Sequence, residues 1–288
     1  MNYRHAYHAG SFADVVKHAV LCRIIAHLRQ KPAAFRVIDT HAGAGVYDLT
    51  GPEAGKTGEW RTGIGRLVGE DAQPLPDQAR ALLAPYLDAV ASFNLSGKLT
   101  AYPGSAALLQ TMLRRQDRMI ACELEPQAAA ALLRQLRGDP RAKALAIDGW
   151  TALGAYVPPK ERRGLVLVDP PFEQPEEFAR LVRGLETAHR KWPTGSYLLW
   201  YPIKDPAEVA ALTRRLSRTG TRKMLRVELI VPTASEDLGL RGSGLVVVNP
   251  PWTLHGELKV LLPALAAVLG RSGRPALTLD WLTGETTR

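Results

Sequence analysis

Gly164-Leu-Val-Leu-Val-Asp-Pro-Pro-Phe172 reads as a strand with a chemical tip. A run without polar side chains marks a strand buried on both faces, the kind found inside a parallel sheet. It stops on Asp169-Pro170-Pro171-Phe172, which sets a carboxylate, a main-chain carbonyl and an aromatic ring together. Proline locks its own φ and has no N–H to donate, so the carbonyl keeps its orientation. These groups suit a planar heterocycle with an exocyclic amine: two acceptors take the amine hydrogens and the ring stacks. A second copy, Asn249-Pro250-Pro251-Trp252, follows Gly244-Leu-Val-Val-Val248, and the two must be told apart.

Upstream, three more strand ends carry polar groups in chain order. Phe35-Arg-Val-Ile38 runs into Asp39-Thr-His-Ala-Gly-Ala-Gly45, Met119-Ile-Ala-Cys-Glu123 ends on a carboxylate, and Lys143-Ala-Leu-Ala-Ile147 ends on Asp148-Gly149. A single acidic strand end is often only a turn former. An ordered set predicts a ligand, because open α/β sheets bind at the carboxyl ends of their strands. The Gly43-Ala-Gly45 turn lacks the third glycine of the dinucleotide fingerprint, so no helix N-terminus need approach a pyrophosphate. That argues against NAD or FAD and suits S-adenosylmethionine, which bears no phosphate. Glu123 is then placed for the ribose hydroxyls and Asp148 for the adenine amine, while Gly149 lets a ring come close.

Strands alternate with helices, which predicts an α/β fold with a mostly parallel sheet. Seven strands are expected, at 35–38, 118–122, 143–147, 164–168, 196–200, 224–231 and 244–248, with a further candidate at 276–281. Helices are expected at 11–30, 105–115, 126–137, 175–190, 206–219 and 256–269. The first opens on Ser11 with Asp14 three residues later, a capping-box-like start. Residues 46–99 break the rhythm with Gly and Pro, then an Ala/Leu-rich helical stretch interrupted by Pro85. The expected organisation is one domain of residues 1–45 and 100–288 carrying a helical insertion at 46–99. If 224–231 and 244–248 close the sheet as a hairpin, Asn249 points to the opposite edge from Asp169. Asn249-Pro250-Pro251-Trp252 then terminates a strand, with Trp252 packed.

The chain has 288 residues, 46% of them apolar, and a net charge of +9 in which arginine outnumbers lysine. Guanidinium forks match phosphate oxygens, so a polyanionic partner is expected. No apolar run is long enough for a membrane span and no signal-peptide pattern opens the chain, so a cytoplasmic protein without membrane association is expected. Cys22 and Cys122 form no disulfide framework. His5 and His8 lack a third ligand, so no metal is expected.

At this point the chain resembles the bacterial RlmJ-type 23S ribosomal RNA adenine-N6 methyltransferases. The resemblance rests on Tyr3-Arg-His-Ala-Tyr-His-Ala-Gly10, Ala13-Asp-Val-Val-Lys-His18, the 39–45 turn, Tyr102-Pro-Gly-Ser105, the 164–172 strand, Leu199-Trp-Tyr-Pro202 and the second Pro-Pro motif. It implies a Rossmann-like class I S-adenosylmethionine-dependent methyltransferase whose seven-stranded sheet bears a small helical insertion. It implies cofactor contacts from His18, His41, Gly43, Ser105, Glu123, Asp148 and Gly149, catalysis by Asp169 with Pro170 and Phe172, and a substrate contact from Tyr3. The implied substrate is an adenine N6 amine of large-subunit ribosomal RNA. Read from the residues alone, His18 lies beside an apolar stripe and packs as a half-buried histidine.

Three other readings compete. An adenine-N6 DNA methyltransferase would use the same site, although no large target-recognition domain is evident. The missing glycine disfavours a nicotinamide-dependent oxidoreductase. A catalytically silent RNA-binding protein would have no use for Asp-Pro-Pro-Phe. The arginine groups at 114/115/118, 134/137/141 and 214/215/218/222 read as solvated helix faces, one of which tracks phosphate. A monomer is expected.

Overall fold

Ten strands form among the described residues, the central ones from short apolar runs rich in Val, Ile and Leu. These are β1 (Arg36–Asp39), β2 (Val46–Asp48), β3 (Ala101–Pro103), β4 (Arg118–Cys122), β5 (Ala142–Leu145), β6 (Gly164–Val168), β7 (Ser196–Ile203), β8 (Met224–Ile230), β9 (Gly242–Val248) and β10 (Ala276–Thr283). The computed structural model describes residues 4–174, 176–231, 240–270 and 275–284. Eight strands make one sheet in the order β10-β8-β9-β7-β6-β1-β4-β5. From β5 through β7 the pairings are parallel. β9 is antiparallel to both β7 and β8, and β10 is antiparallel to β8. All seven expected strands are present, and β10 extends the sheet to eight.

β6 shows why the fold needs its central apolar run. Leu165 and Leu167 enter the core on one face of the sheet, Val166 and Val168 the core on the other. Period-two alternation between two covered faces demands apolar residues at every position. The helix Phe12–Arg29 covers the first face and is itself buried on almost every side. It packs against β9, Asp77–Ser92 and Leu254–Leu269. The second face carries Gly149–Tyr156, Glu177–Lys191 and Pro206–Ser217.

Between β1 and the helix Ser105–Met112 the chain makes an excursion. β2 pairs antiparallel with β3, and between them lie short helices at Pro52–Thr57, Glu59–Thr62 and Gly65–Val68, then Asp77–Ser92. Ile64, Leu83 and Tyr86 are fully buried in the same core as the helix Phe12–Arg29. Pro85 does not interrupt Asp77–Ser92, which runs through it.

Further expectations need correcting: Arg118 opens β4 and Arg141 directly precedes β5, so neither lies on a solvated helix face. Ser11 makes no side-chain cap; instead Asp14 accepts the N–H of Gly10 at 2.9 Å, its remaining capacity going to side chains. Trp252 is not packed but 86% exposed. The motif around it is anchored by Asn249, which donates to the Pro193 and Gly195 carbonyls at 2.8 Å each. Because β9 runs against its neighbours, Asn249 stands at the opposite pole of the sheet from Asp169. The helix Gly149–Tyr156 and the β2–β3 ribbon had no clear signature in the sequence.

Candidate active site

Strand order reverses between β1 and β6, the place where an open α/β sheet leaves a crevice at its carboxyl edge. A cleft of about 1320 Å³ occupies that position. His18, His41, Gly43, Ser105, Glu123, Asp148, Gly149, Asp169, Pro170 and Phe172 all line it. Ten of the eleven expected residues therefore meet; the eleventh, Tyr3, lies outside the described residues.

At one end of the cleft Asp169 follows the last residue of β6. Its Oδ2 accepts from Lys17 Nζ, which also donates to Asp14 Oδ1 at 2.8 Å. Asp14 in turn meets His5 Nε2 at 3.0 Å. Burial by itself would push Lys17 down, but Asp14 and Asp169 together raise it above the ordinary lysine range. Burial likewise opposes the charged form of Asp14, yet the charges of His5 and Lys17 hold it well below the usual carboxylate range. The result is a buried, fully paired row of charges, the only arrangement in which burying them is tolerable.

Phe172 adopts a left-handed backbone at φ +52°, a costly conformation for a bulky residue. Its N–H donates to Glu177 Oε2 at 2.7 Å. Its ring packs on Phe178 and Trp200 at centroid distances of 4.8 and 5.7 Å.

Elsewhere in the cleft Glu123 is pinned by backbone donors. Its Oε2 accepts from Gly43 and its Oε1 from Leu124 and Glu125, each at 2.8 Å. A carboxylate has about four acceptor positions, so one remains for a ligand. Gly43 sits at φ +62°, and a Cβ there would fall 2.0 Å from the Tyr47 hydroxyl. Asp148 caps the helix Gly149–Tyr156 through the Thr151 N–H at 3.2 Å. A Cβ on Gly149 would lie 2.1 Å from the Thr40 carbonyl and 2.8 Å from the His41 ring. Burial pushes His41 down to about 4 and, with Lys17 adding to it, His18 down to about 3. His18 is fully buried, not half-buried as expected; its Nδ1 meets the Tyr102 hydroxyl at 2.7 Å, and its Nε2 has no partner among the described residues. Ser105 donates to Asp39 Oδ2 at 2.6 Å. Burial pushes Asp39 up to about 7; Ser105 opposes the shift and the charge of Asp169 adds to it.

Sequence reasoning missed Lys17, Asp14 and Trp200 as parts of this site. Asp14 and Lys17 do carry a signal, an acid and a base three apart inside a helix of apolar residues. A buried helix tolerates such a pair only when it is used.

The donor set fits S-adenosylmethionine. Glu123, Glu125, Asp148 and Asp169 give the cleft an acidic lining, which attracts a sulfonium or ammonium group and repels pyrophosphate. The orphaned Nε2 of His18 awaits a polar partner. Among the described residues no group of three or more His, Cys, Asp or Glu side chains could hold a metal ion. The sheet, its switch-point cleft and the Asp-Pro-Pro-Phe tip define a class I S-adenosylmethionine-dependent methyltransferase. A family model described as "Ribosomal RNA large subunit methyltransferase D, RlmJ" matches residues 32–283. Ribosomal RNA large subunit methyltransferase J of Haemophilus influenzae is 38% identical over 286 residues, covering 99% of this chain and 100% of that protein. Its Escherichia coli counterpart is 39% identical over 285 residues with the same coverage. A Legionella pneumophila crystal structure superposes with a TM-score of 0.86 at 32% identity, over 95% of this chain and 98% of that one. The chain belongs to the RlmJ family of ribosomal RNA large subunit methyltransferases.

Proposed function

We propose that this protein methylates the exocyclic N6 amine of a specific adenine in 23S ribosomal RNA. The observation that carries this reading is the position of Asp169, at the switch-point end of β6 with Lys17 bound to one oxygen. Its other oxygen and the neighbouring main-chain carbonyl can accept both hydrogens of an aromatic amine. When bound, S-adenosylmethionine supplies an electrophilic methyl group on a sulfonium.

The chain's own residues do the rest. An exocyclic amine is a poor nucleophile because its lone pair is delocalised into the ring. Acceptors at Asp169 and the adjoining carbonyl favour the pyramidal nitrogen, a form that develops in the transition state, so this interaction raises turnover rather than affinity alone. Phe172 stacks on the unstacked base, and Glu177 holds its strained backbone in place. Lys17 fixes the Asp169 carboxylate, which cannot swing away without abandoning a buried ammonium. Orientation of this kind supplies much of an enzyme's acceleration. His18, His41, Gly43, Ser105, Glu123, Asp148 and Gly149 hold the cofactor, and Tyr3 contacts the substrate.

The relatives named for ribosomal RNA favour RNA over DNA as substrate. No described helix is long and apolar enough to cross a membrane; the site of action is read as the cytoplasm and the working form as a monomer. Residues 46–99 are read as an inserted helical subdomain on a methyltransferase domain of 1–45 and 100–288, the insertion's first strand, β2, pairing with β3 just beyond its end. Transfer of tritium from labelled S-adenosylmethionine, in competition between protein-free 23S rRNA and duplex DNA, tests the reading. Label should enter N6-methyladenine at one position of the rRNA; preferential labelling of DNA would overturn it.

A further inference from the structure

A second recess, of about 460 Å³, opens at the pole of the sheet opposite the active cleft. Arg36, Arg118, Arg141, Lys143 and Lys160 line it, together with Tyr156, and no carboxylate is among the lining residues. Strand register explains the concentration of charge. Arg36 opens β1 and pairs with Arg118, which opens β4; Lys143 on β5 pairs with Ile120, two residues beyond Arg118. Residues two apart share a face, so these three side chains rise on one face of the sheet. The helix covering that face, Gly149–Tyr156, packs on Ile120 and Cys122 and ends after eight residues. It therefore leaves the amino ends of β1, β4 and β5 uncovered.

Like charges directly opposite one another on neighbouring strands are destabilising. The protein offsets only part of that cost. Glu161 takes a two-pronged bond from Arg36 at 2.8 and 2.9 Å, and Asp139 holds Arg141 at 2.7 Å. These carboxylates neutralise the two guanidiniums, and Arg141 donates further to the Leu113 and Gln110 carbonyls. Lys143 and Lys160 are exposed and form no ion pair among the described residues. Arg118, which bonds only the Arg115 and Asp117 carbonyls, and the two exposed ammonium groups keep their charge unpaired among the described residues, and three separated cations suit a chain of phosphates better than a single small anion.

We infer that this recess is a second RNA-docking site, holding the sugar–phosphate backbone of the substrate at a distance from the base being modified. The inference rests on the proposed RNA methyltransferase activity. The two sites face opposite ends of the same strands, so an RNA confined to the cleft does not reach the recess, whereas a longer one wraps to it.

The test compares the K143Q/K160Q double variant with the wild type on a long 23S rRNA fragment and on a short stem-loop carrying the same target adenine. On the long fragment KM should rise about tenfold at unchanged kcat, and the slope of log affinity against log salt should fall by about 1.5, near 0.7–0.9 per lost phosphate contact. On the short stem-loop both parameters should stay at wild-type values, and K143R/K160R should behave as wild type on both RNAs. Equal effects on the two RNAs, or none on the long one, would overturn the inference. Binding of the long fragment, measured by fluorescence anisotropy without methyl transfer, keeps the question separate from the reaction. If the wild type methylates neither RNA but the double variant still lowers the salt slope, the assigned activity fails and the docking site stands.

Discussion

Lys17 and Asp169 meet across 152 residues of sequence, one on the first long helix and the other at the tip of β6. Neither is correctly placed without the other. Replacing Lys17 by Met should leave Asp14 without its central counter-charge and Asp169 without its anchor. Removing one partner of a buried pair costs about 3–5 kcal/mol. The variant should therefore melt earlier and turn over at least about 10²-fold more slowly. Urea unfolding together with single-turnover kinetics separates the two effects. An active, stable K17M would show that Asp169 positions itself.

Asp169→Asn keeps the shape but turns one acceptor oxygen into a donor that faces the amine hydrogens. Turnover should fall by about 10²–10³-fold. Glu123, held by three backbone donors, is untouched by the change, so calorimetric affinity for S-adenosylmethionine should change less than threefold.

Asp39 should make stability depend on pH in the direction opposite to most carboxylates. Its native carboxyl takes up a proton near pH 7, its unfolded one near 3.8. Between those values the native state binds more protons, so this group's contribution falls as pH rises. The span corresponds to roughly 4 kcal/mol at 1.36 kcal/mol per unit. Asp39→Asn, still able to accept from Ser105, should gain stability relative to wild type between pH 5 and 8. Parallel denaturation midpoints for the two proteins across that range would contradict the assignment.

Asn249→Ala removes two hydrogen bonds and places alanine at φ +48°. A loss of about 1–3 kcal/mol follows from unpaired carbonyls and strain, with kcat unchanged. Trp252→Ser, at an exposed position, should alter stability by less than about 0.5 kcal/mol. Thermal melts and initial rates check both; collapse of turnover in N249A with cofactor binding intact would move the chemistry to the second motif.

The strand ends were legible because each joins an apolar run to a polar stop, a signal confined to a few neighbouring residues. Topology then separated the two Pro-Pro motifs, since β9 had only to run backwards. Long-range partnerships were not legible. Asp14 reads locally as half of a capping box, yet its carboxylate serves Lys17 and His5, whose need for it depends on burial. Trp252 reads as a packing anchor because an aromatic after Pro-Pro usually has a wall to meet, and here the strand delivers it to an open pole. The helix Gly149–Tyr156 begins on the glycine expected for ring contact and has too few residues for a clear period.

The burial of Phe12–Arg29 on almost every side has a consequence for synthesis. This helix precedes the other long helices in chain order, yet the Ala13 carbonyl faces Ser243 and Arg23 grips Glu257 through two bonds of 2.9 Å, 230 and 234 residues later. Asp77–Ser92 and Ser105–Met112 cover part of its apolar surface early, but the face against β9 and Leu254–Leu269 has no cover until most of the chain has been translated. The nascent protein thus spends much of its elongation time with one face of its future centre exposed, a standing demand for chaperone protection.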